Sequence, residues 1–344
     1  MSKKVLITGV LGQDGANMAE YLLSSTDHRV YGMQRRSGTP NYDNIESFKN
    51  NDRFELVDGD LSDSASIDRL VKKITPDYLI NFGANSYVGV SWDMPLSVMD
   101  VNSGGVIRCL EAIRKFKPDC RFYSAGSSEE FGDVDYVPQD IKHPIKPRSP
   151  YGASKAAARH LVKVYRDSYN LYAVHSILFN HEGPRRGAEF VTRKITQKVA
   201  EIYHKTKNKE SFETLKLGNV DSKRDWSDSR DFMRGVWLML NQDKPKDYVL
   251  ASGKIHSVRD FVSLAFQNAG IAGLWSGEGK EARFRVFQEN TVLAEVDERW
   301  FRPAEVTLLH GDPTIAEQEL NWKREISFNQ MVKDMVDNDI KDYI

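Results

Sequence analysis

Short apolar runs alternate with longer amphipathic stretches through the first half of the chain. Val5-Leu6-Ile7, Val30-Tyr31-Gly32-Met33, Phe54-Glu55-Leu56-Val57, Tyr78-Leu79-Ile80-Asn81-Phe82, Phe122-Tyr123-Ser124 and Ala173-Val174-His175-Ser176-Ile177-Leu178 each read as a strand. Between them, Ala16 to Ser24, Ser62 to Lys73, Asn102 to Lys115 and Tyr151 to Tyr169 repeat apolar residues at helical spacing, with Ser62 as an N-cap. This alternation predicts an α/β fold built on a doubly wound parallel sheet. After Asn180 the pattern loosens into short strands, turns and helices, among them Phe190 to Tyr203 and Val258 to Asn268. The expected division is a first domain over 1–180 and a smaller C-terminal substrate-binding lobe over 181–344, partly interleaved with it.

Composition narrows the classes. The chain has 344 residues, enough for two lobes, and 40% of them are apolar, as in a globular protein with a sizeable core. Lys and Arg number 48 against 49 Asp and Glu, a net charge of −1. That balance argues against a nucleic-acid or membrane partner, so any anion site must be local. Cys109 and Cys120 are the only cysteines, too few for a disulfide framework or a cysteine metal site, and no metal is expected. MSKKVLITGV runs straight into a strand without a signal-peptide pattern, and no window holds the roughly 20 apolar residues of a membrane span. A reducing cytoplasm is the expected compartment.

Chemistry concentrates at strand ends. Thr8-Gly9-Val10-Leu11-Gly12-Gln13-Asp14-Gly15 follows the first strand and opens the first helix with GxxGxxG spacing. Glycines there permit a tight turn and close backbone approach to a pyrophosphate, whose charge the helix N-terminus favours. The loop makes the first domain Rossmann-like. The second strand ends in Gln34-Arg35-Arg36-Ser37, and Arg35 lies 20 residues after Gly15, where an NAD-binding fold usually carries an acid. A guanidinium suits a 2′-phosphate instead, so NADP is the expected cofactor. Asp60 and Leu61, at the end of the third strand, are candidates to border the adenine, although an Asp after a strand is more often a helix cap.

Ser149-Pro150-Tyr151-Gly152-Ala153-Ser154-Lys155 sets a phenol and an ammonium one helical turn apart. An ordinary phenol titrates near 10, so a Tyr151 general base needs a neighbouring positive charge, which Lys155 can supply. The small residues at 152–154 read as room for the nicotinamide ribose. Ser127 and Glu129 close the fifth strand, at the edge where such sheets bind ligands. A plain alcohol dehydrogenase needs only the hydroxyl; the added carboxylate suggests a second proton transfer, as in dehydration. The alternative is that Ser127, Ser128 and Glu129 merely cap the next turn.

Together, GxxGxxG and YxxxK resemble the extended short-chain dehydrogenase/reductases. The GQDG loop, RRS after the second strand, SPYGASK, LFNHEGPRRG, FVTRKI, KRDW and HSVRDF resemble, in order and over nearly the whole chain, the GDP-mannose 4,6-dehydratase family. The resemblance implies an enzyme, a hydro-lyase that turns GDP-mannose into GDP-4-dehydro-6-deoxy-mannose and water by internal hydride transfer. It implies Ser127, Glu129, Tyr151 and Lys155 as catalytic residues, Ser127 standing where many relatives have threonine. Gly9, Val10, Leu11, Gly12, Gln13 and Asp14, with Arg35, Arg36, Asp60 and Leu61, would hold NADP. So would Gly83, Ala84, Asn85, Ser86, Tyr151, Lys155, His181 and Arg186. Asn180, Val191, Lys194, Leu217, Gly218, Arg224, Arg302 and Glu305 would hold GDP-mannose. Related enzymes pair the helices that match Asn102–Lys115 and Tyr151–Tyr169, which implies a homodimer, or a homotetramer if the 35–48 loop reaches a neighbour. The alternatives are a sister reductase acting on the 4-keto product, which Glu130-Phe131 also suits, and a non-catalytic NADP-binding regulator.

Overall fold

The computed structural model describes residues 2–287, 289–300 and 308–343. The first half runs β1 (Lys4–Thr8), α1 (Gln13–Ser25), β2 (Arg29–Gln34), β3 (Phe54–Asp58), α2 (Ser64–Ile74) and β4 (Tyr78–Asn81). It continues with α3 (Pro95–Met99), α4 (Gly105–Phe116), β5 (Arg121–Ala125), α5 (Pro150–Tyr169) and β6 (Ala173–Leu178). Each strand splits its side chains between two cores, because successive residues of a strand face opposite ways. Val5, Ile7, Ile80 and Tyr123 join one cluster with α1, while Leu6, Leu79 and Phe122 join another with α2, α4 and α5. Helices therefore cover both faces of the sheet, which is why its strands read as continuous apolar runs.

The second half supplies β7 (Asn180–Glu182), α6 (Val191–Lys207), β8 (Leu215–Leu217), β9 (Lys223–Asp228), α7 (Ser229–Leu240) and β10 (Tyr248–Leu250). Then come β11 (Ile255–Ser257), α8 (Val258–Asn268), β12 (Gly273–Ser276), β13 (Arg283–Val286), β14 (Val292–Val296), β15 (Leu308–Leu309), α9 (Thr314–Leu320) and α10 (Phe328–Asp342). Two of these segments return to the first sheet. β10 pairs in parallel with β6, giving the order β10-β6-β5-β4-β1-β2-β3. α7 packs on α1, with Asn17 Nδ2 donating to Ser229 Oγ at 2.6 Å. The order reverses between β1 and β4, and ligands bind at such a switch point, outside the carboxyl ends of the strands. Most of the remainder packs around a second core from α6, α8, α10 and the small sheet β12-β13-β14-β8. Among the described residues no helix is long and apolar enough to cross a membrane.

Two local expectations change. The cap of α2 is Asp63, whose carboxylate accepts the Ala65 N–H at 3.0 Å. Ser62 is turned back to Asp60, donating its hydroxyl to Oδ1 at 2.7 Å. The helix expected from Asn102 begins earlier, with Pro95 at its first turn, and passes through a π-turn at Asp100–Gly104 before α4.

The KRDW segment is mostly structural. Trp226 is buried in the second core, and Asp225 is fully buried with its carboxylate accepting from Ser252 N (2.6 Å), Gly253 N (2.9 Å) and Gly311 N (3.3 Å). One side chain thus pins β9 to two distant loops, and burial raises its pKa even against those donors. Asp225→Ala leaves three backbone donors without their acceptor, so it should destabilise the fold by about 3 kcal/mol. A lowered midpoint in urea unfolding checks this.

Candidate active site

The site begins where β1 gives way to α1. Gly9 has φ +68°, and a side chain there would press on the backbone of Gly83. A Cβ on Gly15 would run into the Gly9 carbonyl oxygen, which fixes glycine at this helix–loop contact. Gly12 caps α1 with no side-chain acceptor, so the first-turn N–H groups stay available to an anion. This is a cradle that side chains would fill, and it fits a pyrophosphate. Gly9, Leu11, Gly12, Gln13 and Asp14 line a cleft of about 980 Å³. Val10 does not: it is fully buried in the first core, against the space that Gly32 leaves on β2. Arg35 lines the cleft beside Asp60 and Leu61, whereas Arg36 is exposed and lies outside the lining. Gly83, Ala84, Asn85 and Ser86 form the opposite wall. Asn102, in the π-turn, holds that wall: its Oδ1 accepts the Asn85 N–H at 2.8 Å and its Nδ2 donates to Ser154 Oγ at 3.0 Å.

The reacting groups meet at the end of β5. Ser127 caps a single turn, Ser128–Glu130, its Oγ accepting the Glu129 N–H at 3.2 Å, so the capping alternative and the site reading describe the same residues. Ser149 caps α5 by accepting the Gly152 N–H at 3.0 Å, with Pro150 at the first helical position. Tyr151 is buried on the cleft wall with the Ser127 side chain beside it; burial pushes its phenol up and the serine pulls it back in part. Lys155 Nζ lies 5.9 Å from the Tyr151 ring centre and donates to the Ala125 carbonyl at 2.7 Å. Burial pushes this ammonium down to about 8. The small residues between them serve packing. A Cβ on Gly152 would lie 2.5 Å from the Glu129 carbonyl oxygen, and Ser154 is fully buried under Asn102. They seat the helix on the Ser127–Glu129 turn, where the sequence suggested room for a ribose.

The far end of the cleft is lined by Asn180, Val191, Lys194, Leu217, Gly218 and Arg224. Lys194 Nζ stands 3.4 Å over the centre of the Trp300 ring. Arg302 and Glu305 lie outside the described residues. His181 also borders the cleft, but its ring is committed to the protein. Its Nδ1 donates to the Phe179 carbonyl at 2.7 Å and its Nε2 to Asp14 Oδ2 at 2.9 Å. Burial works against both charges, yet the pair prevails: Asp14 is held low and His181 is raised. Arg186 pairs with Glu182 at 3.0 Å and covers the Phe190 ring at 3.5 Å.

The profile described as GDP-mannose 4,6 dehydratase matches residues 6–335 of this sequence. The chain belongs to the GDP-mannose 4,6-dehydratase family. A relative of that name from Homo sapiens is 41% identical over 344 residues, covering 98% of this chain and 91% of the relative. One from Sinorhizobium fredii is 43% identical over 345 residues, covering 98% and 97%. Among solved structures, dTDP-glucose 4,6-dehydratase from Bacillus anthracis in complex with NAD superposes with TM-score 0.80 at 18% identity, covering 99% of this chain and 97% of that one. RMD from Pseudomonas aeruginosa complexed with NADPH gives 0.76 at 20% identity, covering 99% of each. At such identities the likeness shows the fold alone.

Three features of this dehydratase-family cleft escaped sequence reasoning. Asn102 read as an ordinary helix start, although a buried amide on an apolar helix face signals a hydrogen-bonding duty. Trp300 read as one aromatic in a run, and its stacking on Lys194 joins segments far apart in sequence. The Asp14–His181 pair joins the glycine loop to β7, and no local spacing announces it.

Proposed function

We propose that this chain converts GDP-mannose to GDP-4-dehydro-6-deoxy-mannose and water, using NADP that ends each turnover in its starting state. The observation that carries the reading is the meeting of Ser127, Glu129, Tyr151 and Lys155 on one cleft whose other end is the glycine cradle. Family membership supplies the substrate class. A bound nicotinamide dinucleotide offers a hydride acceptor for the hexose C4 and later a hydride donor for C6. Gly9, Gly12 and the α1 N-terminus would hold its pyrophosphate, and Arg35 its 2′-phosphate.

The protein's own steps follow from placement. Tyr151 accepts the O4 proton as C4 is oxidised, with the Ser127 hydroxyl beside the phenol and Lys155 supplying positive charge. The resulting ketone acidifies the proton on C5. Glu129 removes it, and the C6–oxygen bond breaks with Glu129 and Ser127 delivering a proton to the departing hydroxide. Tyr151 then returns its proton to C5 as C6 is reduced. One water leaves and no net redox change remains.

Incubation with GDP-mannose and catalytic NADP, followed by mass analysis, should give a product lighter by one water. A sister reductase would instead consume NADPH in proportion to product, and no turnover at all would restore the regulator reading. Arg35→Ala should weaken NADP about 30-fold, the loss of one charge-assisted contact, and leave NAD affinity unchanged. Calorimetric titration checks this, with Arg36→Ala as the silent control. Lys155 keeps its proton below about 8 and loses it above, so the charge favouring the Tyr151 phenolate fades as pH rises. An alkaline fall in kcat near that pH is the expected profile at saturating substrate.

A further inference from the structure

Beneath the Ser127–Glu129 turn lies a polar pair that no step above uses. Glu130 is fully buried, and its Oε1 accepts the Ser127 N–H at 2.8 Å. The same oxygen lies 3.0 Å from Nε2 of His175, which is also fully buried on β6. With Nε2 donating to Glu130, Nδ1 faces the Ser124 hydroxyl at 3.2 Å. Glu130 Oε2 is buried and makes no hydrogen bond among the described residues. A buried carboxylate is costly, and an apolar residue would fill a core position more cheaply. Packing here is tight: a Cβ on Gly126 would run into His175 Nε2 and lie 2.5 Å from Glu130 Oε1. Neither Glu130 nor His175 lines the cleft.

Through Glu130 the pair holds one short turn, and through His175 it reaches the end of β5 that leads into it. The turn's first residue, Ser127, lines the cleft beside Tyr151; its next but one, Glu129, lines the cleft and backs onto Gly152 of α5. Ser124 on β5, Tyr151 and Lys155 on α5 and Glu129 itself surround it. We propose that Glu130 and His175 form a buried positioning pair that clamps this turn, holding the Ser127 hydroxyl to the Tyr151 phenol and Glu129 toward the cleft. The proposal rests on the reading of Ser127, Glu129 and Tyr151 as the reacting groups.

The test compares Glu130→Leu, which keeps volume and cannot accept, with Glu130→Gln, whose amide oxygen still accepts from Ser127. Small displacements of reacting groups cost about 100-fold, so kcat of Glu130→Leu should fall by that order. KM for GDP-mannose and the Kd of NADP should stay within about threefold, because neither binding surface is touched. Glu130→Gln should recover kcat to within about tenfold of wild type. A folded Glu130→Leu with wild-type kcat overturns the proposal. So does a loss that Gln fails to recover, or a rise in KM and Kd in step with the fall in kcat. If Glu130→Leu does not fold, His175→Asn decides: it spares the Ser127 contact and loosens the carboxylate, and wild-type kcat there overturns the proposal. Wild-type protein inert toward GDP-mannose would sink the functional reading and this inference with it. An active wild type with an unimpaired Glu130→Leu sinks this inference alone.

Discussion

Tyr151→Phe should lower kcat by about 10³-fold, within the range a positioned acid–base group contributes, while GDP-mannose and NADP still bind. The ring is buried on the cleft wall, and phenylalanine keeps that packing. Only the oxygen is lost, and with it the acceptor for the O4 proton and the contact to Ser127. Oxidation at C4 is the first event, so no reduced nicotinamide should appear even in a single turnover. Stopped-flow absorbance with excess enzyme makes the measurement. Reduced nicotinamide forming at the wild-type rate would show that another group takes the proton. Lys155 is a poor substitute, since an ammonium already carries its proton and this one donates to the Ala125 carbonyl.

What could be read in advance was local. The glycine spacing, the Tyr151–Lys155 pair and the six apolar runs each lie within a few residues, and period and spacing report such features directly. Tertiary context decided the rest. Val10 sits inside the glycine motif yet faces the core, because Gly32 on the neighbouring strand leaves it space. Arg35 and Arg36 are equivalent as sequence; the end of β2 turns one toward the cleft and the other away. β10 is three residues long between polar segments, too short for an alternation to show, yet it completes the sheet beside β6. In the second lobe β8 pairs with β14 across a long stretch of chain, and no window contains both. The turn after β5 is the instructive case. Ser127 and Glu129 were legible as chemistry, while Glu130 read, with Phe131, only as a sign that also suits a sister reductase; its partner His175 lies on another strand, beyond any local spacing.

Glu129→Gln should separate the two halves of the reaction. The amide keeps the shape of the side chain and cannot take a proton from C5. Turnover to the 6-deoxy product should fall by about 10³-fold, as for loss of a general base. The earlier step needs Tyr151, Ser127 and Lys155, none of which is altered, so reduced nicotinamide should form and persist. Its signal should rise in a single turnover and stay, where wild type shows a transient or none. NADP affinity should be unchanged, since the cradle at Gly9 and Gly12 lies at the opposite edge of the sheet's switch point from Glu129. Undiminished loss of water would move the C5 proton to another acceptor. Loss of the early signal as well would make Glu129 a partner of Tyr151 in oxidation. Persistent reduced nicotinamide without product is the one result that assigns Glu129 to elimination, because only a block after C4 oxidation and before C6 reduction leaves the cofactor in that state.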